Sequence, residues 1–351
     1  MFMSDNGEST VPAGKLDITI IMPVYNGHNF ILKSLPPLIE MQRRGEVREV
    51  LVVDDSSTDD TATIAAQLGA RVMPSGGRLG PGAARNLAAR VAEGNILWFV
   101  DADVIIHDDA ARYMHEGFAE DGVVAVFGSY DDQPPAQNFL SQYKNLVHHF
   151  YHHRGRKEAS TFWAGCGAVT KDAFLAVGGF DIDRYKRPSI EDIELGYRLR
   201  EAGGKILLFP ELQSTHLKVW RLLNLLHTEI FCRAIPWSRL MIEHSGIVDD
   251  LNVSSMERLR AGLAGLLFVT MVTALAGFIP WWTVLVMLVL AGWANHSLVA
   301  LFYRRKGLLF AGMGLAFHQL YYLYSSAAFV YTLIECKLKK LIGQGGRAPA
   351  A

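Results

Sequence analysis

Asn95-Ile96-Leu97-Trp98-Phe99-Val100-Asp101-Ala102-Asp103-Val104 is the stretch whose reading decides the fold. The apolar run Ile96 to Val100 has the length of a buried strand, and it ends in two carboxylates with only Ala102 between them. Acids at the carboxyl end of a buried strand lie where an open α/β sheet binds its ligand. Alternate side chains of an extended chain point the same way, so Asp101 and Asp103 can face one hard cation whose shell substrate phosphate oxygens complete. A strand end followed by solvated acids that open the next helix is the plainer alternative.

Upstream, Leu16 to Met22 is a β-branched apolar run closed by Pro23, which reads as a first strand. Pro23-Val24-Tyr25-Asn26-Gly27 follows as a loop, and Phe30 to Met41 carries helical spacing interrupted at Pro36-Pro37. A second strand, Glu49 to Val53, runs into Asp54-Asp55-Ser56-Ser57-Thr58, where Ser57 or Thr58 caps a helix continuing to Leu68. Ala70 to Met73 is a short third strand, and Gly76 to Asn86 is a glycine-rich turn into a helix ending near Glu93-Gly94. Strands and helices alternating at this spacing predict right-handed βαβ units and a mostly parallel, Rossmann-like sheet. Four loops at its carboxyl side carry polar clusters; turn chemistry explains each alone, but less readily all four at one edge.

The 351 residues suffice for one large domain or two ordinary ones. A net charge of −1 and a pI near 6.9 give no footing for a nucleic-acid partner. Hydrophobic residues make up 50% and mean hydropathy is +0.16, an excess concentrated after Leu259. Cys166, Cys232 and Cys336 are odd in number and far apart, so neither a disulfide framework nor a thiolate metal site is expected. Residues 1–15 carry acids and lack an apolar core, and read as a disordered leader, not a signal peptide.

Residues from about Leu16 to His216 resemble the catalytic domain of family 2 glycosyltransferases, which have the GT-A nucleotide-sugar-binding fold. The resemblance rests on Pro23-Val24-Tyr25-Asn26, on Val52 to Thr61 (VVDDSSTDDT), on Gly80 to Asn86 (GPGAARN) and on the DAD of Asp101 to Asp103. It implies that Pro23, Tyr25, Asn26 and Asp54 or Asp55 border the nucleotide, and that Arg85 lies near the nucleobase or diphosphate. Asp101 and Asp103 would hold the sugar and a Mg²⁺ or Mn²⁺ bound to the diphosphate. Neither a P-loop nor a dinucleotide fingerprint in the right context is present, which removes the nearest rival phosphate sites.

Beyond Asp108 the pattern continues with a helix to about Ala119, a strand from Val123 to Tyr130 and a long helix from Asn138 to His153. His148, His149, His152 and His153 form two pairs at i, i+4. They read either as a helical metal pair or as part of a half-buried aromatic helix. Phe162 to Val169 reads as a strand of small residues in which Cys166 is a core side chain.

Ser189-Ile190-Glu191-Asp192 opens a helix with acids in its first turn, which capping alone would explain. Moving a sugar to a hydroxyl in one displacement, however, needs a carboxylate to take the acceptor proton, opposite the group that stabilises the departing diphosphate. The pair follows the DAD by about ninety residues, as the family's ED motif does. By that resemblance Asp192 is the base and Glu191 its neighbour on the acceptor. Past a strand at Lys205 to Phe209, His216 is a candidate metal or diphosphate contact, as late histidines are in related enzymes. The QxxRW motif of the family's processive synthases is missing, which favours transfer of one sugar.

Val219 to Glu243 mixes apolar residues and tryptophans with Arg221, Arg233 and Arg239 at helical spacing, suiting either a membrane interface or packing on the catalytic domain. Leu263 to Phe278 and Thr283 to Tyr303 are apolar segments near the length that spans a bilayer, joined at Ile279-Pro280-Trp281-Trp282 as a hairpin. Arg258 and Arg260 before it and Arg304-Arg305-Lys306 after it put the catalytic domain on the cytoplasmic side of the cell membrane. Leu308 to Ile334 is a third span or a re-entrant element, since it holds His318, Gln319 and several tyrosines.

The expected organisation is a GT-A domain at 16–217, amphipathic interface helices at 218–257, a multi-pass α-helical membrane region at 258–340 and a disordered tail at 341–351. The expected activity is inverting transfer of one sugar from a nucleotide-diphosphate sugar to a hydroxyl of a lipid or lipid-linked acceptor at the cytoplasmic leaflet. A polyprenyl-phosphate acceptor is the alternative within the enzyme class; its phosphate oxygen is already ionised, so the ED pair argues for a hydroxyl. A non-catalytic nucleotide-sugar-binding membrane scaffold is the alternative outside it, and would have no need of four intact carboxylates.

Overall fold

The β-branched and aromatic runs form strands, and the helical spacing between them forms crossover helices, in a computed structural model that describes residues 16–244 and 251–345. The expectations for residues 1–15 and for the end of the tail lie outside the described residues. Residues up to Pro135 together with Gly155–Lys218 form one unit, and Ala136–Arg154 with the chain from Val219 onward form another.

The first unit is built on a nine-stranded sheet. Its strands are β1 (Ile18–Val24), β2 (Glu49–Asp54), β3 (Arg71–Pro74), β4 (Ile96–Val100), β5 (Val104–Ile106), β6 (Val123–Tyr130), β7 (Glu158–Ala159), β8 (Cys166–Thr170) and β9 (Lys205–His216). They run in the order β3-β2-β1-β4-β8-β6-β9-β5, with β7 beside β9. The first four are parallel, as the βαβ pattern predicts. The expectation of a mostly parallel sheet is corrected beyond them: β8 is inserted between β4 and β6 and is antiparallel to both, and β5 and β7 pair antiparallel with β9. A strand arriving from far along the chain leaves no local mark of its direction. β8 fits because Gly167 approaches its neighbours closely; a Cβ there would meet the Trp163 carbonyl oxygen at 2.2 Å.

Several boundaries also move. Pro23 lies inside β1 opposite Val53, where pairing with β4 has already stopped at Ile21. Pro36 and Pro37 do not interrupt their helix, which runs from His28 to Arg43. The carbonyls their missing N–H groups would have reached belong to exposed Leu32 and Lys33 and face water. Ser57 and Thr58 do not cap the next helix, which starts at Thr61 after Asp60; both bond Asn26 instead. β9 extends seven residues past the predicted strand and carries His216 at its end.

The second unit is helical. Helix Phe139–His152 is capped by Asn138, whose side chain accepts the Ser141 N–H at 3.0 Å, and it belongs to this unit. Helices Leu222–His227 and Ile235–Glu243 are joined by a π-helical stretch, Thr228–Ala234. Pro236 explains that wide turn: it has no N–H for the carbonyl four residues earlier and its ring crowds that carbonyl.

Ser255–Leu275 is the one described helix long and apolar enough by itself to cross a membrane. The expected second span, Thr283 to Tyr303, is not one helix: Trp282–Ala294 ends at Asn295, and His296–Leu341 continues at an angle of 78°. Asn295 stops the first helix because its amide bonds the Ala291 carbonyl of the preceding turn at 2.9 Å. Arg304 to Lys306 sit just before a second break at Gly307, where φ is +82°.

Candidate active site

The carboxyl ends of β1, β2 and β4 gather the predicted residues of the first unit. Tyr25 and Asn26 are exposed just past β1, and the Arg78 guanidinium carbon lies 4.0 Å above the Tyr25 ring. Asn26 adopts a φ of +48°, and its side-chain oxygen accepts the Thr58 N–H at 2.8 Å. Asp54 accepts the Ser57 N–H at 3.3 Å. Asp55 is buried and spends one oxygen on the Leu79 N–H at 2.9 Å and the other on the Gly80 N–H at 2.8 Å. Asn26, Asp54 and Asp55 therefore shape the rim of the site through main-chain bonds. Pro23 is buried in β1.

Asp55 also fixes the turn that opens helix Pro81–Val91, and Gly80 there has a φ of +87°, which a glycine adopts without cost. A shallow open cleft lies at this turn, lined by Gly80, Pro81 and Gly82 on one side and by Lys186, Arg187 and Glu191 on the other. A helix start with basic side chains opposite suits an anionic group. Arg85 is buried one turn further along the helix, ion-paired to Asp101.

The two acidic pairs meet. The Asp101 N–H donates to the Gly165 carbonyl at 3.2 Å, and the N–H of the preceding residue, Ala164, donates to Asp192 Oδ2 at 3.1 Å. One short loop before β8 thus anchors both pairs. Burial pushes the Asp101 carboxyl above its ordinary value, Arg85 pulls it down, and the charges of Asp103 and Asp192 push it up further. Burial likewise raises Glu191, to about 7, with Asp192 adding repulsion. Glu191 accepts the Ser189 N–H at 2.6 Å.

Beyond the DAD, β5 pairs with the end of β9, opposing Val104 to His216, and the Leu217 N–H donates to the Asp103 carbonyl at 2.8 Å. That ladder carries His216 Nε2 to 3.5 Å from Asp103 Oδ2. Burial acts to raise the Asp103 carboxyl, but His216 and Lys218 outweigh it and hold it below its ordinary value. Among the described residues no three His, Cys, Asp or Glu side chains are gathered for one ion. Asp103 oxygen and His216 nitrogen form the donor pair brought together here, with Asp101 next to them and engaged by Arg85. A hard divalent ion that keeps phosphate oxygens in its shell needs no more than one or two carboxylates, so this donor set fits Mg²⁺ or Mn²⁺.

The sequence did not point to Tyr130, Trp163 or Ala164. Tyr130 stacks on His216 with ring centroids 4.3 Å apart and planes 6° apart, and Trp163 meets Tyr130 edge-on at 4.8 Å. Their partners are far along the chain, so no local pattern could have found them. The i, i+4 histidines stack ring on ring, His148 on His152 and His149 on His153, each at 3.8 Å.

Residues 19–178 match the family model described as Glycosyl transferase family 2, so this part of the chain is a glycosyltransferase family 2 domain with an α/β, GT-A-like mixed sheet. The match ends before Glu191, Asp192 and His216. The chain is 36% identical over 104 residues to a poly(ribitol-phosphate) beta-glucosyltransferase of Bacillus spizizenii, covering 27% of this chain and 16% of that protein. It is 34% identical over 110 residues to the poly(ribitol-phosphate) beta-N-acetylglucosaminyltransferase TarS of Staphylococcus aureus, covering 29% and 19%. The chain thus spans less than a fifth of the length of these curated relatives. In fold it is similar to a mannosyltransferase of Pyrobaculum calidifontis solved with GDP-Man and Mn²⁺, with a TM-score of 0.50 at 19% identity over 93% of this chain and 90% of that one.

Proposed function

We propose that the protein is an inverting glycosyltransferase that moves one sugar from a nucleotide-diphosphate sugar to a hydroxyl. The observation that carries this reading is the convergence of Asp101 and Asp103 with Glu191 and Asp192 across the loop at Ala164 and Gly165. The family 2 match and the relatives' printed activities support it. The donor's base and ribose lie against Tyr25 and the rim that Asn26, Asp54 and Asp55 hold, and its diphosphate at the turn before Pro81.

Asp103 and His216 would hold the divalent ion, which would supply positive charge against the departing diphosphate. Arg85 holds Asp101 in place beside the donor sugar. Asp192 takes the acceptor proton from the opposite side, its carboxylate oriented by the Ala164 N–H. Glu191, with its proton retained up to about pH 7, donates a hydrogen bond to the acceptor or the sugar.

We place the chain in the cell membrane through helix Ser255–Leu275 and the bent pair that follows, with the first unit cytoplasmic and the acceptor a lipid or lipid-linked molecule. Exposed Phe278, Trp281, Trp282 and Trp293 near the ends of these helices support that placement. The test is transfer from candidate donors by the full chain in lipid, compared with Asp192→Asn. The variant is expected to bind donor as the parent does and to lose transfer; equal transfer by the two removes Asp192 from its role.

A further inference from the structure

One cluster beside the site is used by none of these steps. His107 follows β5, Asp131 follows β6, and Thr215 is the penultimate residue of β9. His107 Nε2 lies 3.1 Å from Thr215 Oγ1 and 3.3 Å from Asp131 Oδ2, and the Thr215 hydroxyl donates to Asp131. Asp131 Oδ1 accepts the Gln133 N–H at 3.0 Å, and the Asp131 N–H donates to the Ser214 carbonyl at 2.8 Å. Three strand ends from distant parts of the chain are joined by one set of side chains.

The neighbouring residue shows what the joint controls. Successive side chains of a strand point to opposite faces, so Thr215 and His216 look opposite ways. They are held by a matching pair at the end of β6: Asp131, just past it, bonds Thr215, and Tyr130, its last residue, stacks on His216. A slip of β9 by one residue would exchange the two faces and turn His216 away from Asp103. Pairing of β9 with β6 ends at Ser214, so Thr215 and His216 have only β5 beside them, which is three residues long and carries only apolar side chains, Val104, Ile105 and Ile106.

We propose that His107, Asp131 and Thr215 form a register clamp that positions His216 against Asp103, and so set the affinity of the protein for its divalent ion. The inference rests on the metal reading given above. None of the three touches the reacting groups; they are positioning residues acting through the β5–β9 ladder.

The experiment is titration of the full chain with Mn²⁺ alone, with free ion read by electron paramagnetic resonance and folding checked by the thermal midpoint. Thr215→Val keeps the shape and removes the hydroxyl, Thr215→Ser keeps the hydroxyl, and Asp103→Asn reports on the site itself. Outer partners of metal ligands typically carry roughly 10- to 100-fold in affinity. Thr215→Val and Asp131→Asn are expected to weaken Mn²⁺ binding by at least about tenfold, while Thr215→Ser binds as the parent does. Binding lost in Asp103→Asn but intact in Thr215→Val overturns the clamp and leaves the metal reading standing. Binding indifferent to Asp103→Asn overturns the metal reading and the clamp with it.

Discussion

Each unit of the molecule buries a carboxylate centre, and the two are built to different ends. In the helical unit, Glu257 has a side chain only 6% exposed, and three donors reach its carboxylate. Tyr151 and Tyr322 donate to Oε2 at 2.8 and 2.7 Å, and Arg260 pairs with Oε1 while also donating to the Ala294 carbonyl at 2.8 Å. Around the DAD, Asp101 and Asp103 keep 38% and 23% of their side chains exposed, and acids repel one another as well as meeting cations. A saturated, closed carboxylate ties helices together; an open cluster held in mutual repulsion stores an electrostatic demand that a cation and a substrate can meet.

The sharpest way to break this contrast is to neutralise one acid in each centre. Asp192→Asn is expected to lower kcat by roughly 10²- to 10⁴-fold with little change in thermal midpoint, measured by transfer assay and calorimetry on one preparation. Glu257→Ala should do the reverse. It leaves Arg260 buried without its partner and costs about 3–5 kcal/mol of stability, read by denaturant unfolding. If Glu257→Ala proved as stable as the parent, the helical centre would not be the tie described.

Glu191 sharpens the contrast through pH. Its folded pKa is raised from 4.5 to about 7, so the native state holds a proton that the unfolded chain releases earlier. The stability it contributes is fully present below pH 4.5 and is lost as pH rises towards 7. A shift of that size corresponds to roughly 3 kcal/mol. Glu191→Gln should flatten the fall in unfolding free energy over this window; an unchanged slope would show that Glu191 titrates normally.

How much of this was legible in the letters follows from how local each cause is. The run Ile96 to Val100 shows its burial in its own composition, and the parallel half of the sheet follows from crossover helices that sit between its strands in sequence. The insertion of β8 and the pairing of the short β5 with β9 depend on partners 40 to 112 residues away, so the mixed sheet was not legible. Pro36-Pro37 misled because breaking power depends on whether the orphaned carbonyls meet water. Asn295 was hidden in an apolar run whose average concealed one helix-ending side chain. At the site, residue types announced the acids, while Ala164, which orients Asp192 with nothing but its N–H, has no type to announce.

The mildest prediction concerns the redundancy of the closed centre. Tyr322 donates to Glu257 and lies 3.0 Å from Asn295 Oδ1, so its hydroxyl joins the start of helix Ser255–Leu275 to the break at which the chain turns by 78°. One hydroxyl has one proton, and Glu257, as the charged acceptor, takes it. Tyr322→Phe removes that donor but leaves Tyr151 and Arg260 in place, so the carboxylate stays satisfied. The loss should be about 1–2 kcal/mol, several-fold below that of Glu257→Ala, and Tyr151→Phe should match it. If either single phenylalanine cost as much as Glu257→Ala, the centre would depend on one donor rather than share its load, and the distinction drawn between saturated and open carboxylates would fail on the saturated side.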